Sequence, residues 1–592
     1  MTSLVELYQQ ELKLLKESAK VFSESHPALT ESLTRDSADP DVEMILQGVS
    51  YLTAQFKQEI NDQFPVALQA LSQALTPSLM QPIPATSVLS MEPKANLIAP
   101  LQIKKGRGFD SIPVAINDST PAIPCRFTNA WEVEALPLKV AQVSVINSDR
   151  EIDGILRKVV EVNIKLNSEK NDLANYDFTK LRLFINKPSS DASLWMYMLS
   201  QQLLGVEVSD ATNTINLPTE ALSLTGFCLE HSVFNNQGTS SIHQVLQEYF
   251  MVPEKYQFVD INLADWQQRS GAEFELKLLL EPASINLPEL SSQSIKLFCS
   301  PIVNEFEHYA EPTAMDGVQL EFPLSAKQRS AAIEHDLPII DVLQVESVKR
   351  DRERNRKYQN LVRPDSLNSN KAGYHFYRKT GSYAAKAPED AIGDWLSLQF
   401  TPGTRPEEQE VLRVKVKCCH GAVASKVEPG QVSQATSSSP ELVNFNNLTT
   451  ASEYQGAVVA THSAWQVISD QALSLQSIQS AEQLRELLSH HIPAQLAGNA
   501  KHKTLQHRIN AIESLQVEAK DNFAQGILKR GVLYKLTLNS GHFVNEGEAF
   551  LFAALLDQLF ALQIPLNSFS QLSVTDSRTG SNVTWPVRLG SD

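Results

Sequence analysis

The chain has 592 residues, 42% of them hydrophobic, and a net charge of −17. That length spans several domains at about 100–200 residues each and excludes wholesale disorder; the acidic balance argues against a general nucleic-acid binder, which needs clustered Lys and Arg. The cysteines (Cys125, Cys228, Cys299, Cys418 and Cys419) are odd in number and mostly isolated, which argues against a disulfide framework and fits a reducing compartment.

The N-terminus shows no basic segment followed by an apolar run of the signal-peptide kind. No stretch of about 20 apolar residues marks a membrane span. The expectation is a soluble, cytoplasmic protein that partners hold at any membrane it serves. Leu4, Tyr8, Leu12, Leu15, Ala19 and Phe22 recur at helical spacing and stop at His26-Pro27. Asp39 then caps a second helix, with Pro40 at a first position where its missing N–H costs nothing. Val42, Ile45, Val49, Leu52, Phe56 and Ile60 draw one apolar stripe along it. Pro65 separates it from a third helix carrying Leu68, Leu71, Leu75 and Leu79, ended by Pro82 and Pro84. Such stripes fit an internal helical core or a surface that packs against another chain, and periodicity alone does not separate the two.

After Pro84 the texture turns to short strand-like segments. Val160, Val162, Ile164 and Leu166 alternate with polar residues, as do Leu181, Leu183 and Ile185, and Phe274 through Leu280. Cys125-Arg126-Phe127 and Leu136-Pro137-Leu138 are shorter candidates, and residues 191–204 read as a buried helix capped by Asp191. In residues 245–263 a helix delivers Tyr249 and Phe250 to a corner at Pro253, and a strand leaves with Tyr256 and Phe258; an aromatic joint in the core fits better than a ligand site. Residues 349–357 mix Lys and Arg with Asp351 and Glu353, the composition of a solvated loop or helix end or, less simply, of a docking surface. Residues 421–455, rich in Ser, Thr, Gln and Asn, read as a long surface loop. Near the end come a short helix at 483–492, a strand from Lys529, and a helix expected over 548–572.

No catalytic constellation emerges. Cys418-Cys419-His420 is the best apparent metal cluster, but adjacent cysteines on a strand point to opposite faces and cannot easily share a tetrahedral ion. His490-His491, His502 and His507 lack metalloprotease spacing, and Gly106-Arg107-Gly108 lacks the third glycine and helix of a phosphate cradle. There is no Gly-x-Ser-x-Gly or Walker A pattern. The site expectation is therefore no catalytic residue, no metal and no cofactor.

Several segments together resemble one family. Tyr8, Glu11, Leu12 and Leu15 lead to Phe22, His26 and Pro27; Asp39, Pro40, Val42 and Glu43 follow, then Tyr51-Leu52-Thr53-Ala54, then Asp62, Phe64 and Pro65, then Pro82-Ile83-Pro84. Glu248, Tyr249, Phe250 and Pro253 form a second block, with Tyr256 where Phe is usual; Cys299, Pro301 and Asn304 form a third. Leu556, Asp557, Leu559 and Phe560, then Asn567, Ser568 and Phe569, and a closing Trp585-Pro586-Val587-Arg588-Leu589-Gly590 form the last. In order and spacing these are similar to TssF, also called VasA or ImpG, of the type VI secretion baseplate. One departure is Cys418-Cys419-His420-Gly421, where the family often has a Cys-Thr-Asn-Arg-like strand end.

The resemblance implies a structural wedge subunit and no enzyme. Its partners would be TssG (two TssF copies to one TssG), a second TssF copy, TssK, TssE and the VgrG spike, in the cytoplasm and docked at the inner-membrane complex through those partners. Leu4, Tyr8, Leu12, Leu15, Val42, Ile45, Val49, Leu52 and Phe56 would contribute to the inter-subunit helical bundle. The expected fold is α+β: a helical region over 1–84, a β-rich mixed domain over 85–290, a second mixed domain with long loops over 291–460, and a C-terminal α+β domain over 461–592. A free-standing cytoplasmic adaptor unrelated to secretion is the alternative; a cell-envelope hydrolase would need an export signal and a nucleophile or metal set that the sequence does not offer.

Overall fold

The structure is a computed structural model. Among the first eighty residues it describes 8, 12–13, 44 and 47–55; from 81 to 590 it describes all except 116–121, 153, 169–171, 177, 235–240, 284, 317, 331–332, 350–354, 362–371, 381–391, 401–409, 458–477, 494–495, 497, 525–526, 563 and 566–567. It divides into two compact units, residues 1–75 with 460–468, and residues 76–459 with 469–592. In the first, residues 47–55 are helical, as the apolar stripe requires.

The second unit is strand-rich α+β. Its first sheet is antiparallel throughout, in the order Val432–Ala435, Gly108–Ser111, Arg126–Asn129, Cys299–Val303, Thr86–Pro93 and Val443–Asn447. Strands from distant parts of the chain thus share one sheet. The two outermost come from the segment read as a surface loop. An edge strand needs little apolar surface, which is why Ser, Gln and Asn can build it. Asn447 links these edges: its side chain accepts from the Val432 N–H and donates to the carbonyls of Glu428 and Thr449.

A five-stranded sheet carries the long hairpin Leu138–Ile152 and Ile155–Ser168, with Glu273–Leu280 pairing the latter. A four-stranded sheet holds Lys180–Ile185 between Phe258–Asn262 and Ile295–Leu297. Between Leu297 and Cys299 the chain passes from this sheet to the first through Phe298, whose φ of 53° lies in the left-handed region. A side chain pays strain there. The helix expected at 191–204 runs over Ser189–Gln201, with Asp191 in its first turn and Pro188 at the cap.

Strands lying between Phe306 and Cys418 form a further sheet around Glu410–Cys418 and Ile339–Lys349, with a core of their own that includes Phe322, Val345, Leu396 and Val416. In the C-terminal region, Ile527–Leu538 and Phe569–Asp576 pair in parallel, and the connection between them contains the helix Glu546–Ala561. That helix is shorter than expected because the chain turns into the strand at Phe569. It is buried nearly all round, from Phe550 to Phe560, as its almost continuous apolar sequence demands.

Candidate functional site

The expected interaction residues all fall in the first unit. Leu4, Leu15, Val42, Ile45 and Phe56 lie outside the described residues. Tyr8 and Leu12 are half-buried. Along the helix 47–55, Val49 and Leu52 are 43% and 54% exposed, and Tyr51 is exposed beside them, while Ser50 and Ala54 are fully buried. Met44, one turn earlier, is also exposed. The helix therefore hides small residues and presents large apolar ones, the reverse of what an internal core would require.

The aromatic corner at residues 245–263 is a joint built around charge. Glu248, on the helix Ser241–Met251, and Lys255, in the following turn, form a salt bridge with each side chain 1% exposed. One Glu248 carboxylate oxygen also accepts from the backbone N–H groups of Val233 and Phe234 (2.9 and 3.0 Å) and from the Ser232 hydroxyl. Tyr256 packs between Phe227 and Tyr249, with ring centroids 4.8 and 5.4 Å away. The motif thus ties a helix, a loop and a strand together.

A second polar cluster lies on the four-stranded sheet. Arg182 holds Asp260 in a fork (2.7 and 2.9 Å), sits over the Trp131 ring, and donates to His231 Nε2 at 3.1 Å. Accepting there keeps the His231 ring neutral; burial and then Arg182 hold its pKa down to about 4. Burial raises the Asp260 pKa, but Arg182 and Lys180 outweigh it and hold the carboxyl below its ordinary range. Beside this cluster is a cavity of about 200 Å³ lined by Glu132, Glu134, Lys180, Arg182, Phe298 and Cys299.

Cys418 and Cys419 are buried thiols at a strand end, with burial pushing Cys419 up to about 12 and Cys418 higher still. His420 is clamped by Asn304 of the third block: its backbone N–H donates to Asn304 Oδ1 (2.7 Å), and Asn304 Nδ2 donates to the ring Nδ1 (3.0 Å). With Nδ1 accepting, the ring is neutral, and burial holds its pKa down to about 3. The buried thiols and the neutral clamped ring form a structural corner, not a nucleophile with its base. Among the described residues no group of three or more His, Cys, Asp and Glu side chains stands together in a position to hold a metal ion.

In the C-terminal region Asp557, 1% exposed, accepts from Arg588 Nε and so ties the last strand to the helix. Asn545 caps that helix through the Glu548 N–H (2.9 Å) and donates to the Ser190 carbonyl (2.7 Å) on the helix Ser189–Gln201. This joint was not legible in the sequence, since an Asn ahead of a helix announces a cap but not its second partner.

Comparison with known proteins accords with this architecture. The family model for the type VI secretion system protein TssF matches residues 1–592. A Pseudomonas aeruginosa protein, type VI secretion system component TssF1, is 23% identical over 634 aligned positions, covering 99% of each chain. A chain of the cryo-electron microscopy structure of the type VI TssK–TssF–TssG baseplate subcomplex has the same fold, with a TM-score of 0.72 at 21% identity over 92% of this chain and 98% of that one. A chain of the type VI baseplate complex gives 0.57 at 19% identity, covering 100% of both. The chain belongs to the TssF family of the type VI secretion system.

Proposed function

We propose that the protein is a structural component of the type VI baseplate wedge. It assembles with TssG, TssK and a second copy of itself around the VgrG spike, with TssE leading to the sheath, and so supports assembly of the contractile sheath and tube. The observation that carries this reading is the family match along the entire chain. The naming of TssK and TssG in a solved subcomplex of the same fold supports those two partners. The exposed Val49–Leu52 face supports a helical docking surface in the first unit. We assign the protein no enzymatic role, and its work is to hold neighbours in a defined geometry. It acts in the cytoplasm and reaches the inner-membrane complex through its partners; no helix among the described residues is long and apolar enough to cross a membrane.

Co-purification of tagged full-length protein with TssG tests the surface. Val49→Asp with Leu52→Asp, and separately Leu12→Asp with Leu15→Asp, should reduce TssG recovery at least about tenfold, since each places charges in a desolvated contact. Substituting Gln47, exposed on the same helix but turned away from Val49 and Leu52, by Asp serves as the control. Wild-type recovery in both pairs would remove the surface from the reading.

A further inference from the structure

The C-terminal hairpin reaches past the sheet that supports it. Ile512–Ala524 is the outer strand of that sheet, and among the described residues no strand pairs with its far edge. Its ladder with Ile527–Leu538 is regular from Ser514↔Thr537 to Ala524↔Ile527, the single irregularity lying before Ser514. The third strand supports this ladder only as far as Val532↔Ser570. From Lys520↔Gly531 to the tip, the hairpin is a two-stranded ribbon, a form that is marginal by itself in water. Gln516 through Asp521 are all exposed, so both faces of the strand lie open along with its edge.

An open edge of this length is a template for another strand, and proteins blunt such edges with bulges, proline or charged side chains, which leaves a partner whose charges match. This one has no proline, its irregularity is at the far end, and the residues that flank Ala519, Glu518 and Lys520, carry opposite charges. Turned by a two-fold axis through Ala519, the strand complements itself in antiparallel register. Glu518 falls opposite Lys520 of the second copy, twice over; Gln516 falls opposite Asn522, and Leu515 opposite Phe523. Val517 falls opposite Asp521, whose carboxylate faces Arg530 at 3.5 Å within its own hairpin. Glu518 and Lys520 already touch Lys535 and Gln571, at 2.6 and 2.8 Å. These are exposed contacts on one face, which a charge arriving beyond the edge extends without burying.

We propose that two copies of this chain join edge to edge through residues 514–524, merging their C-terminal sheets into one and giving each two-stranded ribbon end beyond Lys520 a further strand to pair with. The self-complementary charge pattern selects a second copy as the occupant, in the isologous arrangement of a two-fold contact. The inference names a surface for the second copy in the assembly described above, and rests on that reading only to this extent.

Charge reversal tests it. The full-length chain is examined by sedimentation velocity from low to tens of micromolar, as wild type, E518K, K520E, the double reversal E518K/K520E, and an equimolar mixture of the two single variants. The wild type should self-associate, and each single variant should do so about tenfold or more weakly, since like charges then face each other at both sites. The double reversal and the mixture should both recover, because each restores opposite charges across the axis; recovery also shows that the single variants are folded. A wild type that stays monomeric throughout, single variants that associate unchanged, or a mixture that fails to recover would overturn the proposal. Capture of TssG by the same samples reads the baseplate assignment separately, because these substitutions leave the first unit untouched.

Discussion

Glu248 shows what a buried charge demands of its surroundings. Its carboxylate meets Lys255, a hydroxyl and two backbone N–H groups, so nearly every lone pair is satisfied where no water competes. Replacing Glu248 by Ala strands the Lys255 ammonium and should destabilise the protein by roughly 3–5 kcal/mol. The pair E248Q/K255M keeps an acceptor for Val233 and Phe234 and should cost far less than the sum of its single changes, read as denaturant midpoints in a double-mutant cycle. Additive losses would show that the charges are not coupled. Two histidines give the fold a pH dependence of known sign. His231 and His420 are held at about 4 and about 3, below the roughly 6.5 of an unfolded chain. The unfolded state therefore takes up protons first, and the stability these rings contribute is present above pH ~6.5 and is lost as pH falls toward those values. Asp260, held low by Arg182 and Lys180 despite its burial, adds loss of the same sign further into acid. Asp557, which burial raises, works in the opposite direction. The denaturation midpoint should fall between about pH 6.5 and 4.5, and the fall should be shallower in H231Q and H420Q; slopes equal to wild type would contradict this account.

Among the elements, the helices Ser189–Gln201 and Glu546–Ala561 meet closely at Gly547. A Cβ on Gly547 would lie 2.3 Å from the carbonyl carbon and oxygen of Ser193 and 2.5 Å from the Leu194 nitrogen, all backbone atoms that cannot swing aside. Helix propensity favours Gly→Ala by about 1 kcal/mol, but the overlap costs about 1–3 kcal/mol or more. Gly547→Ala should therefore lower the unfolding temperature. Gly48→Ala, on a helix where nothing lies within 4 Å, should not lower it; the reverse ranking would show that the joint is not tight. Elements with strong apolar alternation were legible in the sequence: Lys180–Ile185 and Glu273–Leu280 lie where Leu181 to Ile185 and Phe274 to Leu280 alternate. Val432–Ala435 and Val443–Asn447 were not, because edge strands satisfied by Asn447 need almost no apolar signal. The passage of the chain between sheets at Phe298 also leaves no mark, since nothing in a phenylalanine announces a positive φ.

For the whole molecule, fold class and family were readable because long blocks of ordered motif recur from Tyr8 to Gly590. Sheet order was not, since Thr86–Pro93 pairs with strands that begin at Cys299 and Val443, and composition carries no information about such distant partners. The candidate surface was half legible. The stripe through Val49 and Leu52 marks a helix in the sequence, but only their exposure beside buried Ser50 and Ala54 turns that stripe outward. The proposal is that the Val49–Leu52 face is a contact for another chain, so that assembly completes the apolar surface of the protein. The measurement that tests this most directly is the native mass of the protein co-expressed with TssG from the same genome, with and without residues 1–84. Two copies of this chain per TssG are expected, with loss of that complex when residues 1–84 are removed. A monomer indifferent to TssG, or a complex that forms equally well without those residues, would contradict it.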